Sequence, residues 1–165
     1  MSDYINIISI IRGTTVDGPG FRTSIYFAGC NHECQGCHNP SSWDFNAGTP
    51  YSIDELMKII EEEDFDVTLS GGDPLYHPAF VLELSKRIHN SGHNIWLYTG
   101  FKWEEIIDSD ILFNTIKEID VIVDSPFVLS LRDTDLLFRG SSNQRIIDVK
   151  KSMQMNRQIV IWEKN

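Results

Sequence analysis

Residues 17–40 read Asp17-Gly18-Pro19-Gly20-Phe21-Arg22-Thr23-Ser24-Ile25-Tyr26-Phe27-Ala28-Gly29-Cys30-Asn31-His32-Glu33-Cys34-Gln35-Gly36-Cys37-His38-Asn39-Pro40. A Gly/Pro turn leads into a short run rich in β-branched and aromatic residues, which reads as a strand over Thr23 to Phe27. A loop carrying all three cysteines of the chain follows directly, with the spacing C-x3-C-x2-C. Three thiolates on one tight loop can hold three corners of a cubane iron–sulfur cluster. A full protein shell takes four cysteines, and these 165 residues contain no fourth. One iron would then stay open to a ligand.

Outward from this stretch the chain alternates between strand and helix patterns. Asn6 to Ile11 reads as a strand before the turn. Ser52 with Glu55 three residues on forms a capping box, opening a helix to about Glu63 with Ile53, Leu56, Met57 and Ile60 on one face. Val67 to Leu69 is a short strand ending in Ser70-Gly71-Gly72-Asp73-Pro74. Pro78 starts a helix through about His89, with Phe80, Leu84 and Ile88 at helical spacing. Ile95 to Tyr98 is a strand ending in Thr99-Gly100, one or two helices occupy Trp103 to Ile119, and Val121 to Val123 is a buried strand. Short strands are expected near Arg145 to Ile147 and Ile159 to Trp162.

Strands alternating with helices predict an α/β fold with a mostly parallel sheet and right-handed crossovers. Four central strands are too few to close an eight-stranded barrel, which takes about 250 residues, so the expectation is an open, curved, partial (β/α) barrel. With no linker or repeat, residues 1–165 are expected to form a single domain. The cysteine loop, Gly71-Gly72-Asp73, Thr99-Gly100 and Asp124-Ser125 all follow strands, and carboxyl ends of parallel strands are where such sheets bind ligands. One shared site is predicted.

Composition narrows the class. Hydrophobic content of 41% and charged content of 23% belong to an ordinary globular protein. No apolar run approaches the roughly 18–20 residues that cross a bilayer, and the N-terminal apolar stretch lacks a basic region before it. No membrane association is expected, and the cytoplasm is the expected location. An odd, clustered cysteine set argues against a disulfide framework. A formal charge of −10 opposes nucleic-acid binding. Phe21, Phe27, Trp96 and Phe113 read as core, and His77, His89 and His93 as surface or helix-end residues.

The Asp17 to Pro40 string resembles the signature of the glycyl-radical-enzyme activating proteins, a branch of the radical S-adenosylmethionine superfamily. The Gly36-Cys37-His38-Asn39-Pro40 ending and the Arg139-Gly140-Ser141-Ser142-Asn143-Gln144-Arg145 string look most like the activators of anaerobic (class III) ribonucleotide reductase. Gly36 stands where the superfamily often carries an aromatic residue, and glycine is what these activators tend to carry. The resemblance implies a 4Fe–4S cluster on Cys30, Cys34 and Cys37, with S-adenosyl-L-methionine at the open iron. It implies reductive cleavage of that cofactor to a 5′-deoxyadenosyl radical, which forms a glycyl radical on the catalytic subunit of the reductase. A low-potential reductant such as flavodoxin would supply the electron. Gly71, Gly72, Asp73, Thr99 and Asp124 are the implied cofactor-binding residues, with Asp73 in place of the usual glutamate that receives the cofactor's amino group. No catalytic side chain is implied beyond the cluster and cofactor.

Arg132 and Arg139 are candidates to reach the cofactor carboxylate or a partner acid. Asp17 and Arg22 either brace their turn as an ion pair or shape an entrance facing the partner. Two alternatives remain on the residues alone. One is a radical S-adenosylmethionine enzyme acting on a small molecule, similar to a deazapurine synthase. The other is a non-catalytic zinc or cluster module, with His32 or His38 as a fourth ligand.

Overall fold

The computed structural model describes residues 3–164, so residues 1, 2 and 165 of the expected domain lie outside the described part. Among the described residues, seven strands form one open sheet, in the order β3-β1-β2-β4-β5-β6-β7. They are β1 (Tyr4–Thr14), β2 (Arg22–Phe27), β3 (Thr49–Ser52), β4 (Asp66–Gly71), β5 (Ile95–Tyr98), β6 (Val121–Asp124) and β7 (Arg145–Asp148). Strands β2, β4, β5 and β6 are mutually parallel. Strand β3 shares their direction, because it is antiparallel to β1, which is antiparallel to β2. Only β1 and β7 run the other way. The α/β class and the open, mostly parallel sheet are as the sequence predicts.

Helices α1 (Ile53–Glu63), α2 (Pro78–Asn90), α3 (Trp103–Asp108), α4 (Asp110–Thr115) and α5 (Val149–Gln154) complete the fold. The predicted capping box is present: Glu55 N–H donates to Ser52 Oγ at 3.1 Å, and Ser52 N–H to Glu55 Oε2 at 2.8 Å. Leu56, Met57 and Ile60 of α1 and Phe80, Val81, Leu84 and Ile88 of α2 pack on Ile25, Phe27, Val67, Leu69, Ile95, Leu97 and Ile122 of the sheet. Strand side chains alternate between faces, and these strand residues all belong to the helix-covered face.

The opposite face packs against the Asp17–Gly20 turn, Phe138 and Trp162. It carries Arg22, Ser24 and Tyr26 of β2, Thr68 and Ser70 of β4, Trp96 and Tyr98 of β5, and Val121 and Val123 of β6. Trp96 anchors it, with its ring centroid 4.9 Å from Trp162 and 5.4 Å from Phe138. Among the described residues no helix is long and apolar enough to cross a membrane.

Three local expectations change. Strand β3, Thr49-Pro50-Tyr51-Ser52, is not among the expected strands. It forms at the edge of the sheet, where a missing N–H can face outward. The strand expected at Ile159 to Trp162 reduces to one bridge, Ile147 to Ile161. Phe21 is 63% exposed and stacks on Phe65 instead of entering the core, and Phe113 is half-buried outside the core, with Arg157 and Lys117 over its ring.

Candidate functional site

The cysteine loop leaves β2 at Phe27 and is closed at its neck by its own return path. Gly29 N–H donates to Ser42 O at 2.7 Å and Cys30 N–H to Trp43 O at 3.3 Å, with Ser42 and Trp43 in a 3-10 turn spanning Pro40–Trp43. Gly29 has φ +102, and a Cβ there would fall 2.3 Å from the Phe45 ring. Gly36 has φ +77, and a Cβ would meet Leu129 at 2.8 Å. Both glycines are dictated by positive φ and close packing. The three cysteines are free. Burial pushes the Cys30 thiol up to about 11 and raises that of Cys34, so taking up a metal releases protons from them.

Cys30, Cys34 and Cys37 face one cavity of about 470 Å³. Its floor is a row of side chains, one from each parallel strand: Tyr26, Ser70, Tyr98 and Val123. Tyr26 pairs with Ser70 and Tyr98 with Val123 across the sheet. The strand-end residues Gly71, Gly72, Thr99, Gly100 and Ser125 also line it. The predicted loops therefore converge, at the carboxyl ends of the parallel strands. The floor itself escaped sequence reasoning. Period-two alternation marks two faces but does not say which one lines a cavity.

Gly71 and Gly72 reach the wall for a reason beyond ligand approach. A Cβ on Gly71, whose φ is +105, would lie 2.3 Å from Phe27 N. A Cβ on Gly72 would lie 2.5 Å from Gly29 O and 2.8 Å from Ser42 O. Here Gly72 N–H donates to Phe27 O at 2.7 Å and Asp73 N–H to Gly29 O at 2.9 Å. The glycines let β4 press against the neck of the cysteine loop.

Asp73 is placed differently from the expectation. It is fully buried and stands behind the cavity wall. Its Oδ2 accepts from Thr99 Oγ1 at 2.8 Å and Gly100 N–H at 2.9 Å, and lies 2.8 Å from His32 Nε2. Its Oδ1 accepts from Leu75 N–H at 3.0 Å. A buried carboxylate needs such donors, and these occupy it fully on the Oδ2 side. The same contact gives His32 a carboxylate partner on Nε2, and His32 also lines the cavity. His38 packs its ring 5.3 Å from that of Phe127.

Asp124 is likewise behind the wall and fully buried. It accepts from Trp103 N–H at 2.8 Å and from Arg145 Nη2 at 2.6 Å and Nε at 3.1 Å. Its place at a strand end made it look like a ligand residue, but its partners are internal. Thr99 does line the cavity.

Asp17 and Arg22 form no ion pair with each other. Asp17 accepts a short hydrogen bond from Tyr26 OH, and both residues line the cavity. Arg22 is buried and donates to Thr68 Oγ1 at 2.8 Å, Val67 O at 2.8 Å, Asn94 Oδ1 at 2.9 Å and Pro19 O at 3.1 Å. Burial lowers its pKa to about 10. It braces the turn through carbonyls, and Gly18 leaves room for it, since a Cβ there would touch the Arg22 side chain at 2.9 Å. Arg132 is exposed and off the wall, whereas Arg139 lines the cavity.

The family described as 4Fe-4S single cluster domain matches residues 16–147. The anaerobic ribonucleoside-triphosphate reductase-activating protein of Salmonella typhimurium is 41% identical, over 78% of this chain and 89% of its own. The protein of that name from Escherichia coli K12 is 39% identical over the same shares. That of Enterobacteria phage T4 is 37% identical over 79% of this chain and 86% of its own. Among solved structures, the crystal structure of QueE from Escherichia coli superposes with a TM-score of 0.50 at 17% identity. It covers 59% of this chain and 53% of that one, a likeness of fold.

Proposed function

The chain belongs to the family of anaerobic ribonucleoside-triphosphate reductase-activating proteins, and from that premise we propose that it is a radical S-adenosylmethionine activase for the reductase. Cys30, Cys34 and Cys37 are the protein ligands of a 4Fe–4S cluster, and S-adenosyl-L-methionine fills the cavity beside it. The observation that carries this reading is that three free cysteines and the ends of four parallel strands line one cavity. The donor set fits the group: soft thiolates suit iron–sulfur clusters, and with three ligands one iron is left for a cofactor.

When bound, the cluster held by Cys30, Cys34 and Cys37 and the cofactor beside it would supply one-electron reductive cleavage of the sulfonium, and with it the radical chemistry for hydrogen abstraction from a backbone glycine of the partner. The chain's own part is to bind, orient and exclude water. Asp73 fixes the cysteine loop to β5 through His32, Thr99 and Gly100. Gly71 and Gly72 seat the neck of that loop on β4. The Tyr26–Ser70–Tyr98–Val123 floor offers a broad, half-polar surface on which the adenosine portion can lie. Residues 1–165 act as a single domain, working in the cytoplasm with a low-potential donor such as reduced flavodoxin. No residue of an α-helix lines the cavity among the described residues, which supports a macromolecular substrate whose glycine loop enters there.

The test is anaerobic reconstitution with iron and sulfide, then dithionite and S-adenosyl-L-methionine. Release of 5′-deoxyadenosine is expected, followed by a glycyl-radical electron paramagnetic resonance signal once the reductase subunit is added. A cluster-loaded protein that releases no 5′-deoxyadenosine overturns the reading. Cleavage without a glycyl radical would instead point to a small-molecule substrate.

A further inference from the structure

Arg139 is the one arginine or lysine on the cavity wall among the described residues. Its Nη1 donates to the Gln144 carbonyl at 2.9 Å. Its Nε is buried and has no hydrogen-bond partner. No ion pair among the described residues includes it. The acid nearest in role, Asp17 on the same wall, is already engaged by Tyr26 OH. Leaving a buried donor unpaired is costly, and such a group in a native fold needs an explanation.

The backbone around Arg139 is built to present it. Phe138 has φ +59, a left-handed conformation that a bulky residue adopts only under constraint. Its ring is locked against Trp96 and Trp162, and its carbonyl accepts from Tyr98 OH at 2.8 Å. On the other side Gly140 lies under the Phe127 ring, where a Cβ would approach to 3.1 Å. Gln144 Oε1 accepts from Gly140 N–H at 2.9 Å and from Ser141 N–H at 3.2 Å. Three neighbouring polar side chains are engaged internally: Asn143 Nδ2 donates to Pro126 O at 2.8 Å, Gln144 Nε2 to Ser125 O at 3.1 Å, and Arg145 binds Asp124. Among the charged residues of this segment, Arg139 alone both lines the cavity and carries an unpartnered buried donor.

We infer that Arg139 is the anion-recognition group of this cavity, and that its ligand is the carboxylate of the small molecule bound there. This rests on the functional reading above, which makes that carboxylate the one on the methionine portion of S-adenosyl-L-methionine. A guanidinium is the donor best matched to a carboxylate. In a chain of net charge −10, attraction of an anion has to be local.

Equilibrium binding to the cluster-loaded, unreduced protein separates the possibilities, using S-adenosyl-L-methionine and its decarboxylated analogue. Arg139→Gln is expected to weaken S-adenosyl-L-methionine roughly tenfold to a hundredfold, the size of a lost charge-assisted contact. It should leave the weaker binding of the decarboxylated ligand unchanged, and Arg139→Lys should recover part of the loss. Arg132→Gln, on the exposed surface, should bind as the unsubstituted chain does, and thermal melts check that each variant folds. Equal losses for both ligands, or no loss for either, overturn the inference while leaving the functional reading intact. A folded Arg139→Gln that binds S-adenosyl-L-methionine normally yet fails to activate the reductase moves the carboxylate to the partner and also overturns it. An unsubstituted protein that binds neither ligand removes the functional reading itself.

Discussion

His32, midway along the cysteine loop, meets Asp73 across 41 residues of chain, with Nε2 2.8 Å from Oδ2. The same carboxylate oxygen holds Thr99 Oγ1 and Gly100 N–H. One buried side chain thus ties the loop to the ends of β4 and β5.

Removing that carboxylate strands several buried donors at once, each at roughly 1–3 kcal/mol. Asp73→Ala is expected to destabilise the fold by about 3 kcal/mol or more, lowering Tm by roughly 6–12 °C. Calorimetry on the purified chain measures this. An unchanged Tm would show that the donors find other partners.

Glycine requirements differ sharply along the chain. Gly72→Ala puts a methyl 2.5 Å from Gly29 O, against backbone that cannot yield, and should abolish stable folding. Gly20→Ala meets nothing within 4 Å, and its φ of +73 carries only conformational strain, costing about 1–2 kcal/mol. Urea denaturation of the two variants should separate them clearly.

Glu104 makes a two-pronged pair with Arg145, at 3.0 and 2.8 Å. Hydrogen bonding to that arginine lowers the Glu104 pKa from 4.5 to about 2. A carboxylate depressed in the folded state stabilises above its unfolded pKa and loses that contribution as pH falls through the folded one. The Tm difference between the unsubstituted chain and Glu104→Gln should be constant above about pH 5 and vanish towards about pH 2. Because Glu104 is largely exposed, the plateau is small, about 0.5–1 kcal/mol.

Cys34→Ala tests the cluster directly. With two thiols left on the loop, iron and sulfide bound after anaerobic reconstitution should fall well below those of the unsubstituted chain, and 5′-deoxyadenosine release should disappear. Full cleavage activity in this variant would contradict the ligand assignment. The thermal melt of the metal-free form should change little, since Cys34 is only half-buried.

The helix and strand series was legible where local chemistry was strong. Ser52 and Glu55 announced α1, and Ile95 to Tyr98 was read with its observed bounds. The cysteine loop and the strand-end glycines were legible as neighbours because topology alone brings them together. The parts that were not legible depend on which partner a residue meets in space. Asp73 and Asp124 look alike, as acids at strand ends. Their neighbours His32 and Arg145 lie 41 and 21 residues away, and these decide that both are internal supports. Arg139 and Arg132 were likewise indistinguishable until the wall of the cavity separated them.

The Asp73 tie also sets an order on the making of the protein. All three thiols leave the ribosome well before the carboxylate and the β5 end that fix their loop. A partly synthesised chain therefore carries its three cysteines on a segment that lacks these contacts. The contacts that fix the loop therefore form only once residue 100 is available, so its final shape is set by the assembled sheet and not by the cysteine segment alone.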